Sequence, residues 1–172
     1  MKPILTLLAA FVLFSCGPAV YVDFDEKEDF SEYTTYQFYP DIESGLNQLD
    51  DKRIMAAIDS VLQQRGFRNT PKSRFFINFY ANESVSSSRS TLGIGVGSGG
   101  VNGGVGVSGG IPIGGSVINQ VLTIDFVNAR GDQGLVWQAV VEKELKARAT
   151  PLQKEAHFNK MVSKALAKFP PK

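Results

Sequence analysis

The chain has 172 residues, with 18 Lys and Arg against 17 Asp and Glu and a formal charge of +1. That balance lacks the basic excess that nucleic-acid binding demands. Hydrophobic residues at 43% and charged residues at 20% exclude a disordered chain and suit one domain plus a processed segment. One Cys and one His exclude an intramolecular disulfide and leave no ligand set for a Cys/His zinc cage.

Lys2 opens the chain with a positive charge, and residues 4–14 are almost wholly apolar. Eleven such residues are too few to span a bilayer, which takes about 20. They match the apolar stretch of a secretory leader. Leu13, Phe14, Ser15 and Cys16 follow, directly before Gly17 and Pro18. This run resembles a bacterial lipobox, with a small residue before the single cysteine. Phe14 departs from the small or branched residue that is more usual there. The resemblance implies cleavage after residue 15, acylation of Cys16, and a mature chain of residues 16–172. Several acyl chains hold far better than one, because each buried CH₂ contributes about 0.8 kcal/mol. Gly17 is not the Asp that retains lipoproteins in the inner membrane, so the analogy points to the outer membrane. An ordinary secretory leader with a coincidental cysteine is the plainer alternative. Loss of Lys2 leaves the mature chain with equal numbers of basic and acidic residues.

Residues 19–25 alternate, Val20, Val22 and Phe24 against Tyr21, Asp23 and Asp25, and predict a strand. Residues 34–39 predict a second, by β-branched and aromatic content, stopped by Pro40. Residues 49–65 predict a helix, with Ile54, Ile58, Val61 and Leu62 at 3.6-residue spacing and Ala57 on the edge. Asp50 and Asp51 sit near its positive end, and Gly66 is a C-terminal cap candidate. Residues 75–81 predict a third strand. Twelve of the 17 glycines fall between Gly93 and Gly115. Such a stretch specifies strand register poorly, and residues 92–115 read as a weakly paired hairpin inserted into the domain. A surface loop without a role and a contact surface for membrane or partner are both consistent with it.

Residues 117–129 and 135–145 predict a hairpin. One face carries Leu122, Ile124 and Phe126, and the other strand presents Leu135, Trp137, Ala139 and Val141. Thr150 as N-cap, Pro151 and Gln153 start a second helix that runs to about Lys168, stopped by Pro170 and Pro171. The order β-β-α-β-(Gly-rich insert)-β-β-α predicts an α+β fold, with a mainly antiparallel sheet and two helices packed on one face.

Motifs for chemistry are weak. Residues 106–110 match G-x-S-x-G, but Pro112 prevents the helix that a nucleophile elbow requires. Residues 95–100 match G-x-G-x-x-G without a following helix to receive a pyrophosphate. His157 has Gln153, Lys154, Lys160 and Lys164 at helical spacing and reads as a surface histidine. Asp23, Asp25, Glu26, Glu28 and Asp29 match no EF-hand spacing and read as a solvated strand end. Trp137 reads as core.

From Val22 to Asp25, from Asp29 to Tyr36, from Leu122 to Val127 with Leu135 to Trp137, and from Val162 to Pro171, the chain resembles the DUF4136 family of bacterial lipoproteins. That family often carries Trp where this chain has Phe38. The resemblance implies a cell-envelope lipoprotein with an α+β domain and supplies no catalytic residues. The expectation is a lipid-anchored envelope protein without enzymatic activity or cofactor, acting as an interaction module on another envelope protein. Two alternatives stand: a periplasmic small-ligand-binding domain, and a structural protein that self-associates through its Gly-rich segment.

Overall fold

Period-two alternation builds the sheet and 3.6-residue periodicity builds the helices that cover it. The computed structural model describes residues 18–87, 91–92, 111–112, 116–130 and 134–171. The elements in chain order are β1 (Ala19–Phe24), β2 (Thr35–Phe38), α1 (Gln48–Gln64), β3 (Arg68–Asn69), β4 (Phe75–Ser87), β5 (Thr91–Leu92), β6 (Ile111–Pro112), β7 (Ser116–Asn128), β8 (Leu135–Lys146) and α2 (Pro151–Ala165). Six strands form one sheet in the order β1-β8-β7-β4-β2-β3, while β5 and β6 pair with each other.

The class is α+β, but the sheet is mixed. β1–β8, β8–β7 and β7–β4 are antiparallel, whereas β2 runs parallel to both β4 and β3. The physical cause is α1. A parallel neighbour needs a crossover of a dozen or more residues, and the 17-residue α1 between β2 and β4 supplies it. The observed order also differs from the expected one. It adds the two-residue β3 on the far edge, and β5 and β6 flank the glycine-rich segment. Most of that segment, 93–110 and 113–115, lies outside the described residues, as do the leader and Cys16.

One parity of each long strand turns inward. Phe75, Ile77 and Phe79 of β4, Leu122, Ile124 and Phe126 of β7, and Trp137, Ala139 and Val141 of β8 are buried. They share one core with Ile54, Ala57, Ile58 and Leu62 of α1 and Phe158, Met161, Val162 and Ala165 of α2. Both helices therefore lie on the same face. On the opposite face Tyr21 and Tyr80 are exposed. Phe169, beyond α2, fills the centre of an aromatic group, 4.6 Å from Phe126, 5.2 Å from Trp137 and 5.5 Å from Phe67 between ring centroids.

Leu135 departs from the expected inward face. Phe126 pairs with Trp137 but Val127 pairs with Leu135, so Val136 is an extra residue, a β-bulge. The bulge inverts the alternation: Val136 is buried and Leu135 is half exposed.

The ends of α1 follow sequence chemistry. Asn47 caps it, its side-chain oxygen accepting from the Leu49 and Asp50 amides. Gly66 takes φ +88° after Arg65, the left-handed conformation that glycine allows at a helix end. Gly45 is at φ +77°, where an added Cβ would stand 3.1 Å from the Ala81 carbonyl. α2 begins with a complete capping box between Thr150 and Gln153.

Candidate functional site

Three of the buried polar groups, Gln120, His157 and Asp50, lie toward one end of the sheet. There β7 continues its inward parity past Leu122 to Gln120, which is 1% exposed. A carboxamide at that depth needs partners on both arms. Gln120 Nε2 donates to Glu83 Oε1 at 2.5 Å, from the β4 residue directly opposite it in the ladder. Gln120 Oε1 lies 2.8 Å from His157 Nε2 on α2. The amide nitrogen is committed to Glu83, so its oxygen must accept, and His157 Nε2 carries the proton. Nδ1 is then the ring nitrogen with a lone pair, and among the described residues it makes no hydrogen bond.

His157 is 5% exposed and is not the surface histidine its lysine-rich neighbourhood predicts. It sits at the edge of the apolar stripe, one turn before Met161 and beside Phe158, both buried. At the edge of a stripe, the helix's seating on the sheet decides burial, and the sheet reaches past it to Gln120. Burial is the main cause that pushes the His157 pKa down to about 4. The Lys143 charge on β8 acts in the same direction, and the Asp50 carboxylate on α1 opposes both. The ring is neutral at neutral pH.

Asp50, in the first turn of α1, is the second buried polar group here. Its carboxylate accepts from Lys154 Nζ, Arg53 Nη1 and Asn47 Nδ2, each at 2.6 Å. Burial by itself raises its pKa, but the hydrogen bonds from Lys154, Asn47 and Arg53 outweigh it and hold the carboxyl below its usual value. Neighbouring Asp51 accepts from the Ser44 hydroxyl. Lys154 ties α2 to α1, and Arg65 does so again by donating to the carbonyls of Leu166 and Phe169.

A cleft of about 340 Å³ opens between the end of β8 and the first turns of α2. His157, Lys143, Lys146, Lys160, Gln153 and Glu144 line it. Lys143 shares the inward parity of β8 and its charge acts on His157, and Lys160 stands one turn further along α2, so basic groups outnumber acidic ones along a cleft suited to holding an anion. No hydroxyl or thiol hydrogen-bonds to His157 among the described residues.

Among the described residues, the other sequence candidates do not line this cleft. Cys16 and both glycine motifs lie outside the described residues. Asp25 and Asp29 spend their carboxylates on the Lys27 and Ser31 amides, and Glu28 accepts from the Tyr33 hydroxyl at 2.6 Å. Asp23, Asp25, Glu26 and Asp29 are exposed. Among the described residues no group of three His, Cys, Asp or Glu side chains converges to hold a metal ion. Trp137 is fully buried in the core, as expected, although its indole Nε1 has no hydrogen-bond partner among the described residues. Sequence reasoning passed over Gln120, Glu83 and Lys143. The legible signal was Gln120 itself, a polar residue on the inward parity between Ile118 and Leu122.

Residues 20–171 match the family model described as "Domain of unknown function (DUF4136)". The sequence matches no curated protein. Among solved structures, the chain is similar to a PDZ domain protein from Parabacteroides distasonis ATCC 8503, at 13% identity and a TM-score of 0.56. The likeness covers 99% of this chain but only 40% of that one. It is also similar to the PelC dodecamer from Paraburkholderia phytofirmans, at 12% identity, a TM-score of 0.50, and coverage of 87% of this chain and 95% of that one. A single-substitution form of the same dodecamer gives 0.51. At these identities the likeness concerns the fold alone.

Proposed function

The chain belongs to the DUF4136 family, and we propose that it is a lipid-anchored protein of the bacterial cell envelope. Cys16 is the lipidation site, the outer membrane is its location, and the domain is a non-enzymatic interaction module with an envelope partner. The observation that carries this reading is the placement of the lipobox-like run. Cys16 stands three residues before Ala19, where β1 begins. Three residues reach at most about 11 Å, so an acyl anchor there holds the domain against the bilayer. The mature chain is then residues 16–172, one domain carrying the glycine-rich insertion 92–115.

The test is in-cell crosslinking of wild type and Cys16→Ser, with intact-mass measurement of both. The reading expects acyl chains on the wild type, release of the variant from membranes, and a captured partner that disappears with the anchor. An intact mass without acyl chains overturns the anchor.

The cleft beside His157 favours a second reading, a periplasmic domain that binds a small ligand. A thermal-shift screen of the mature protein separates the two. Self-association through the glycine-rich segment is a third reading, prompted by the dodecamer described for PelC. Deleting residues 92–115 tests it by the change in assembly size.

A further inference from the structure

We infer that the cleft between β8 and α2 is a binding site for an anionic phosphate group, presented at the tethered end of the domain. The inference deepens the ligand-binding reading and borrows its membrane geometry from the anchored one. Ala19 pairs with Glu142, so β1 begins beside the C-terminal half of β8. Lys143 and Lys146, which follow Glu142 on β8, line the cleft together with Lys160 and His157 of α2. The basic cleft and the start of β1 therefore occupy the same end of the sheet.

The chemistry fits phosphate better than a carboxylate or a neutral ligand. Lysines from two elements line the space, Lys143 and Lys146 of β8 and Lys160 of α2, and ammonium binds phosphate as a point charge at several oxygens. His157 is nine-tenths buried, oriented by the chain Glu83–Gln120–His157, and left with a free Nδ1. As a neutral ring it accepts a hydrogen bond from a protonated phosphate oxygen. Once the anion is seated, its charge favours the imidazolium, and Nδ1–H donates instead. The charged groups that set this balance are Lys143 on β8, Asp50 on α1, Glu83 through Gln120, and Lys154 and Lys160 on α2 itself. Burial and the Lys143 charge keep the ring neutral, and a phosphate counters the second of these, so binding and protonation of His157 are linked.

The phosphate has two sources, a lipid headgroup in the bilayer below or a soluble phosphate compound. His157 is the sole histidine, so its imidazole signals in an NMR titration are unambiguous. The mature chain is reconstituted in phosphatidylcholine nanodiscs, and its imidazole pKa is measured in three settings: without addition, with inorganic phosphate, and with phosphatidylglycerol in the bilayer. The expected result is an upward shift of the imidazole pKa by at least one unit, equivalent to about tenfold tighter phosphate binding by the protonated ring. Lys143→Gln with Lys160→Gln should abolish it, whereas Lys168→Gln, at a separate cleft near Pro170, should retain it. A response to phosphatidylglycerol alone assigns a headgroup, and a response to inorganic phosphate assigns a soluble ligand. No response to either, or an unchanged response in the double variant, overturns the site. If intact mass shows no acyl chains, the anchored reading fails separately. The unlipidated chain with inorganic phosphate or phosphatidylglycerol vesicles then still decides the cleft.

Discussion

Replacing His157 by Gln should flatten the acid side of the stability curve. The folded protein holds this imidazole neutral, with a pKa of about 4 against 6.5 in the unfolded chain. Between those values the unfolded state binds the extra proton. The contribution of the neutral imidazole is therefore present above pH 6.5 and is lost as pH falls through the window to about 4. The displacement corresponds to about 3 kcal/mol as a ceiling, a large part of the 5–15 kcal/mol that typically holds a domain together. A glutamine in its place would still offer a donor to Gln120 and carries no titrating group, so the difference between the proteins isolates the imidazole. Asp125, whose pKa is raised, acts equally in both, and Asp50, whose pKa is lowered, differs only by its charge interaction with the imidazole. The assay is urea unfolding at a series of pH values, followed by fluorescence of Trp137, the single tryptophan and fully buried. Wild type should lose up to about 3 kcal/mol more than the variant between pH 7 and pH 4. Parallel curves, or an imidazole that titrates near 6.5 by NMR, would refute the reasoning.

Phe169→Ala removes the ring that joins the chain end to Phe126, Trp137 and Phe67, and should cost about 3–5 kcal/mol in urea unfolding. Leu152→Ala, at a residue 75% exposed, should stay within about 0.5 kcal/mol. Lys154→Met leaves the Asp50 carboxylate with Arg53 and Asn47 only. It should destabilise by about 1–3 kcal/mol, less than the loss of a sole partner, and calorimetry at neutral pH would measure it. Thr150→Ala breaks the capping box of α2 and should cost about 1 kcal/mol by the same denaturation.

The site was less legible than the fold. His157, Lys154 and Lys160 stand within two helical turns, and by spacing alone they describe one solvated face. Asp50 on α1 and Gln120 on β7 draw Lys154 and His157 inward, and both partners are distant in sequence. Lys143 joins them only because β8 ends alongside α2. A histidine on a helix is ordinary until an inward-facing glutamine meets it, and that meeting is tertiary. Gln120 on the buried parity was the one local sign that a polar group would need a partner.

Local periodicity determined much of the rest. Alternation marked β1, β7 and β8, the apolar 3.6-residue stripe marked α1, and Thr150, Pro151 and Gln153 marked the start of α2, because these signals act within a few residues. Strand direction was not local. β2 and β4 became parallel because α1 carries the chain back before β4 begins, a consequence of connection length. Leu135 left the core because one extra residue, Val136, inverts the alternation, and only the pairing with β7 reveals it. The sequence by itself determined which segments would be strands or helices and which residues sought burial. The tertiary structure decided which polar groups were buried together, because desolvation and pairing act across distances that no sequence window spans.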